Sequence, residues 1–79
     1  MDKLNIIGIR VDNRGDHATS VQKVLTSYGT KISGRFGVPA RDKRDGLIAI
    51  VMEGDEKEVQ SLTRDLLDIK GVDVNSMNI

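Results

Sequence analysis

Cysteine and tryptophan are absent from this 79-residue sequence, proline occurs once, and Tyr28 and Phe36 are its only aromatic side chains. Each shortage excludes something. Without cysteine there is no disulfide, no iron–sulfur cluster, no cysteine zinc finger and no thiol nucleophile. Small secreted domains usually need disulfides, so a reducing, cytoplasmic setting is expected. Charge of one sign is missing too: twelve basic and twelve acidic residues cancel. A balanced surface offers no long-range attraction to nucleic acid or to an anionic membrane. No stretch approaches the roughly 20 apolar residues of a membrane helix. The start carries no signal-peptide-like apolar run and reads as mature structure.

What remains is one domain, residues 1–79, that must build its core from Ile, Val and Leu. A chain this short buries only about 60% of the surface exposed when unfolded, so a partner subunit would help it. The elements alternate. Leu4–Val11 (LNIIGIRV) reads as a strand followed by the turn-forming DNRGD. His17–Tyr28 reads as a helix with Ala18, Val21, Val24, Leu25 and Tyr28 on one stripe. Asp16 is its expected N-cap and Gly29 its expected left-handed stop. Thr30–Gly37 reads as a strand with Ile32, Gly34 and Phe36 on one face, and residues 38–45 as a loop. Gly46–Glu53 (GLIAIVME) is a nearly continuous apolar strand. Asp55 and Glu58 have capping-box spacing before a helix to about Ile69, striped by Val59, Leu62, Leu66 and Ile69 with Leu67 beside it. Gly71 stops that helix, and Val72–Met77 is a last strand.

The order β-α-β-β-α-β predicts an α+β, ferredoxin-like fold: a four-stranded antiparallel sheet with two helices on one face and the first and third strands central. Both central strands are apolar on both faces: Leu4 and Ile6 against Ile7, Ile9 and Val11; Leu47, Ala49 and Val51 against Ile48, Ile50 and Met52. Whichever set meets the helices, the other is left bare. Each buried Ile or Leu is worth about 1.5–3 kcal/mol, so the bare face predicts self-association, as a homodimer or homotetramer.

Candidate chemistry is sparse. His17 is the only histidine; without a second His or a Cys it makes a poor metal site, and a solvent-exposed first-turn residue is expected. The loop Asp12-Asn13-Arg14-Gly15-Asp16 is the best ligand candidate. It joins a central strand's end to a helix start, where free N–H groups and the helix dipole favour an anion. Gly15 would let a ligand approach the backbone, and Arg14 could pair with a carboxylate. An ordinary turn explains the same residues. Gly34-Arg35-Phe36-Gly37 has the GxxG spelling of a KH loop, but lies in a strand. Arg41, Lys43 and Arg44 are interleaved with Asp42 and Asp45, as in a solvated loop. An RNA-binding version of the fold needs aromatics on the third strand, and LIAIVME has none. A metal carrier needs CxxC. No nucleophile–base pair, carboxylate dyad or phosphate loop is present, so no enzyme, cofactor or metal is expected.

The segment Val11–Phe36 resembles an ACT domain: a strand, the Asp-x-x-Gly turn Asp12-Asn13-Arg14-Gly15, a helix ending Val24-Leu25-Thr26-Ser27-Tyr28-Gly29, then Lys31-Ile32. A closer resemblance covers nearly the whole chain. The signal Arg35-x-Gly37-x-Pro39, the strand LIAIVME, the helix that follows, and the terminal Gly71-Val72-x-Val74 are similar to the iron-only hydrogenase system regulators. These are stand-alone relatives of the ACT domain and of the C-terminal domain of the nickel-responsive regulator. The resemblance implies a ferredoxin-like fold, a homo-oligomer and a non-enzymatic regulatory role. It implies neither nickel, whose site needs several histidines and a cysteine, nor direct DNA binding, for which there is no reading head. In ACT domains the first loop and a neighbouring subunit's second strand enclose an amino acid. By that resemblance a small carboxylate metabolite would meet Asp12, Asn13, Gly15 and Arg35. The alternative is a structural protein–protein interaction module with no small ligand.

Overall fold

A computed structural model of the chain describes residues 3–39 and 44–79. Six elements follow in the expected order: β1 (Leu4–Val11), α1 (Arg14–Ser27), β2 (Ile32–Pro39), β3 (Gly46–Glu53), α2 (Glu56–Leu67) and β4 (Val72–Asn78). The four strands form one antiparallel sheet in the order β2-β3-β1-β4, so β1 and β3 are central. This is the ferredoxin-like arrangement.

The core shows which face the helices cover. Ile7, Ile9 and Val11 of β1, Ile50 and Met52 of β3, and Val72 of β4 are buried with Val21 and Leu25 of α1 and Leu62 and Leu66 of α2. The buried strand residues are every second one, as the period of a strand demands. Val24, Tyr28, Val59 and Ile69 complete the two predicted helical stripes at the core's margin. At the rim of the helix layer the Tyr28 hydroxyl donates to Asp65 Oδ2 at 2.7 Å and lies 2.8 Å from Ser61 Oγ. Ser61 pulls the Tyr28 hydroxyl's pKa down, but loss of water and the Asp65 carboxylate outweigh it, and the net shift is upward. Asn5 is the one buried polar residue among those described. Its amide donates to the Met52 and Gly54 carbonyls and accepts from Asn78 Nδ2 at 3.1 Å, so nothing is left unsatisfied.

Three expectations need correction. The first helix starts at Arg14, not His17, and its N-cap is Asn13 rather than Asp16. Asn13 takes a left-handed conformation (φ 50°) that asparagine tolerates better than most residues. Gly29 is not a left-handed stop. The helix tightens instead, with the N–H groups of Tyr28 and Gly29 bonding to Leu25 and Thr26, three residues back, which satisfies the last carbonyls without a positive φ. Finally, Ile32 does not share a face with Gly34 and Phe36. The pairing steps from Ile32↔Met52 to Gly34↔Val51, which places a β-bulge at Ser33. The extra residue moves everything beyond it to the other face. Ile32 packs against the core, while Phe36 and Val38 point to the open side. The strand also runs on to Pro39, two residues past its expected end. Of the basic loop cluster, Arg41 and Lys43 lie outside the described residues.

The capping box at α2 is formed as expected. The Asp55 carboxylate accepts from the Glu58 N–H at 3.0 Å, and Glu58 Oε1 accepts from the Asp55 N–H at 3.2 Å. Asp55→Ala should lower stability by about 1 kcal/mol, read as a lower urea midpoint with an unchanged slope. No change would mean that the cap is redundant with tertiary packing.

Candidate functional site

Residues 12–16 turn the chain from a central strand into α1. Because Val11 pairs with Gly46, the same pairing sets residue 12 beside residue 45. The contacts follow. The Asn13 N–H donates to Asp45 Oδ1 at 2.8 Å. Arg10, at the end of β1, reaches Asp12 Oδ1 with Nε at 3.1 Å and Asp45 Oδ2 with a terminal nitrogen at 3.4 Å. Asp12 first, and Asp45 after it, raise the Arg10 pKa. On the other side the Asp12 N–H donates to the Gly71 carbonyl at 2.8 Å. Asn13 Nδ2 donates to Asp16 Oδ2 at 2.7 Å. All three carboxylates at the turn, Asp12, Asp16 and Asp45, are therefore engaged by donors.

The structure brings together Asp12, Asn13 and Gly15 but not Arg35. Gly15 sits in the first turn of α1 with open space where a side chain would project. The Arg14 side chain lies outside the described part of the structure. Arg35 is four residues back along β2 from Pro39, the residue that pairs with Gly46, which is about 13 Å along the strand. It leans over α1 instead, donating to Gln22 Oε1 at 2.6 Å.

Beside the loop opens a small apolar cleft of about 210 Å³ between α1 and β2, lined by Val11, Ala18, Gln22, Val38 and Ile48 among others. It exists because β2 presents Gly37 here, leaving the gap under α1 unfilled. His17 is in the first turn, as expected, but half-buried rather than solvent-exposed, because its ring lies over Gly71. Among the described residues, no three or more His, Asp or Glu side chains converge as a metal site, and no helix is long and apolar enough to cross a membrane.

Sequence reasoning missed Asp45, Arg10 and Gly71. The first two were within reach. Once β1 and β3 are paired as neighbours with Val11 opposite Gly46, Asp45 must fall beside Asp12.

The family model "TM1266-like: Iron-only hydrogenase system regulator, putative" matches residues 3–76. The chain belongs to this family. Among solved structures, that of the uncharacterized protein TM1266 from Thermotoga maritima has a TM-score of 0.90 at 26% identity, covering 99% of both chains. More distant folds agree. The regulatory subunit of aspartate kinase from Thermus flavus gives a TM-score of 0.61 at 18% identity, with 96% of this chain and 51% of that one covered. CPII from Thiomonas intermedia K12, in a structure bound to ADP, AMP and acetate, gives 0.55 at 19% identity, with coverage of 98% and 88%. These show that this iron-only hydrogenase system regulator family member shares the ACT/PII-like ferredoxin fold. No curated protein matches the chain.

Proposed function

We propose that this family member is a non-enzymatic regulatory module that works as a homo-oligomer and responds to a small carboxylate metabolite bound at the Asp12–Gly15 loop. The observation that supports it is the Asp45 carboxylate held on the Asn13 N–H at 2.8 Å. The loop's backbone already accepts a carboxylate of the chain's own, and a ligand carboxylate would compete for that amide. The adjoining cleft would take the ligand's apolar part, and Gly15 leaves the approach open. Binding would exchange the link between this turn and the segment before β3 for a link to the ligand. That exchange is how occupancy would be communicated to a partner.

A thermal-shift screen of carboxylate metabolites, amino acids among them, should return a stabilising compound, since a ligand selective for the native state raises apparent stability. Calorimetry on three variants then tests the site. Gly15→Val places two methyl groups in the approach, where the backbone has no positive φ to strain, and should weaken binding at least about tenfold, or 1.4 kcal/mol. Asp45→Ala removes the competitor and should strengthen binding. Arg35 is too far to reach the loop within one subunit, so a loss on Arg35→Ala would report a neighbouring subunit completing the site. Normal binding to Gly15→Val and to Asp45→Ala would place the site elsewhere. A screen with no hit would favour the ligand-free interaction module, a reading supported by the exposed apolar sheet face.

A further inference from the structure

The sheet face opposite the helices is a map of three rows. Reading across β2, β3, β1 and β4, the pairings align Gly34, Val51, Ile6 and Met77; then Phe36, Ala49, Gly8 and Asn75; then Val38, Leu47, Arg10 and Asp73. Phe36 is 68% exposed, the most exposed large apolar side chain among the described residues, and stands at one end of the middle row. Two strands away in that row is Gly8. A side chain there would meet only the Asn75 carbonyl, 3.9 Å from the Cβ position. Over it lies a hollow of about 430 Å³ bordered by Arg10, Leu47, Asp73 and Asn75. A projecting ring and a hollow therefore share one row, two strand spacings apart, with the small residue Ala49 between them.

We infer that a second copy of this chain packs face to face on this sheet about a twofold axis parallel to the strands and above Ala49, so that Phe36 of each copy enters the hollow over Gly8 of the other. The inference rests on the homo-oligomer part of the proposed function and adds its geometry. Such an axis carries β2 of one copy over β1 of the other while keeping the row, and the contact is made twice, as an isologous interface requires. Sheets stacked face to face lie about 10 Å apart, a gap that side chains of both faces fill.

Charge permits it. Arg10 faces Asp73 across the strand pair and is bridged to Asp12, and Glu53 at the far end accepts from Ser33. The first two rows carry no charge, and the one charge of the third row within the overlap, Arg10, stays at the rim beside the hollow with its guanidinium turned to Asp12 and Asp45. Area permits it too. Three overlapped strands about 4.8 Å apart and eight residues long give a flat footprint of about 14 by 26 Å per copy. The relief of the side chains enlarges that, which brings the total for two copies near 1,000 Å², the small end of stable interfaces. The dimer should therefore be concentration dependent. In a lone subunit the Phe36 ring stands in water, whereas seated in the hollow it buries a large apolar surface on both sides.

Sedimentation equilibrium across micromolar concentrations, without ligand, tests this. The wild type should show a monomer–dimer equilibrium. Phe36→Ala removes the ring, and Gly8→Val fills the hollow with a strand-favouring side chain. Each should weaken the dimer at least tenfold, while the Gly8→Val monomer is no less stable to urea than the wild type. The double variant should lose less than the two single losses combined, because both act on one contact. A wild type that is monomeric throughout overturns both the inference and the homo-oligomer. A dimer that both single variants leave intact overturns only the face-to-face geometry and points to pairing through the free edge of β2. Ligand binding is read separately, so its failure would leave this result standing.

Discussion

A Leu62→Ala variant is expected to lose about 3 kcal/mol of stability. Leu62 is fully buried in α2 and belongs to the same core cluster as Ile7, Ile9, Ile50 and Met52 of the central strands. Truncation removes apolar atoms from the core and leaves a cavity that a close-packed interior closes only in part. In a domain this size each kcal/mol moves the melting temperature by roughly 4–8 °C, so the shift should exceed 10 °C. Leu47→Ala is the matched comparison. The same atoms are removed, but Leu47 is 49% exposed on the open face, so its loss should cost the subunit less than about 1 kcal/mol. Its effect should fall on self-association. Urea unfolding of both variants at low concentration, where subunits are separate, checks the contrast. Equal losses would mean that Leu47 is already covered within the subunit or that Leu62's site collapses on truncation.

The two leucines also show how much of the fold could be read from the sequence. LNIIGIRV and GLIAIVME are short apolar runs bounded by turn-forming residues, and both strands begin and end where expected. The stripe of α2 and its Asp55–Glu58 cap were equally legible, because each needs only residues three or four apart. The failures share a cause: each depends on a contact between distant residues or on a local geometry with no spelling of its own. A bulge at Ser33 is invisible in an alternating string, yet it decides that Phe36 faces the open side and Ile32 the core. The start of α1 lies three residues before the expected one because Asn and Asp cap equally well by type, so residue type does not choose between Asn13 and Asp16. Asn13 takes the role through its left-handed turn and its bond to Asp45. Of the candidate site, Asp12, Asn13 and Gly15 lie together as chain neighbours must. Arg35 was attached to them by resemblance, and within one subunit β2 carries it away toward Gln22.

Gly71→Ala is expected to destabilise the protein by about 2 kcal/mol, through two separable causes. Gly71 is the one glycine with positive φ among the described residues, at 82°. An L-residue held there costs roughly 1–2 kcal/mol. The added Cβ would also stand 3.2 Å from His17 Cδ2 and 3.5 Å from Asp12 Cβ, so the imidazole must shift. The position couples fold to site, because the Gly71 carbonyl takes the Asp12 N–H at 2.8 Å and so holds the start of the candidate loop. A His17→Ala background separates the causes. It removes the crowding and leaves the backbone strain, so Gly71→Ala should cost less there than in the wild type, and the difference measures the contact. Gly15→Ala is the opposite case. Its Cβ meets nothing within 4 Å and its backbone is helical, so it should stabilise by up to about 1 kcal/mol. Equal costs for Gly71→Ala in both backgrounds would assign the whole effect to the backbone. A neutral Gly71→Ala would mean that the turn before β4 can relax out of its left-handed conformation, and then the Asp12 N–H should exchange with solvent as fast as an unbonded amide.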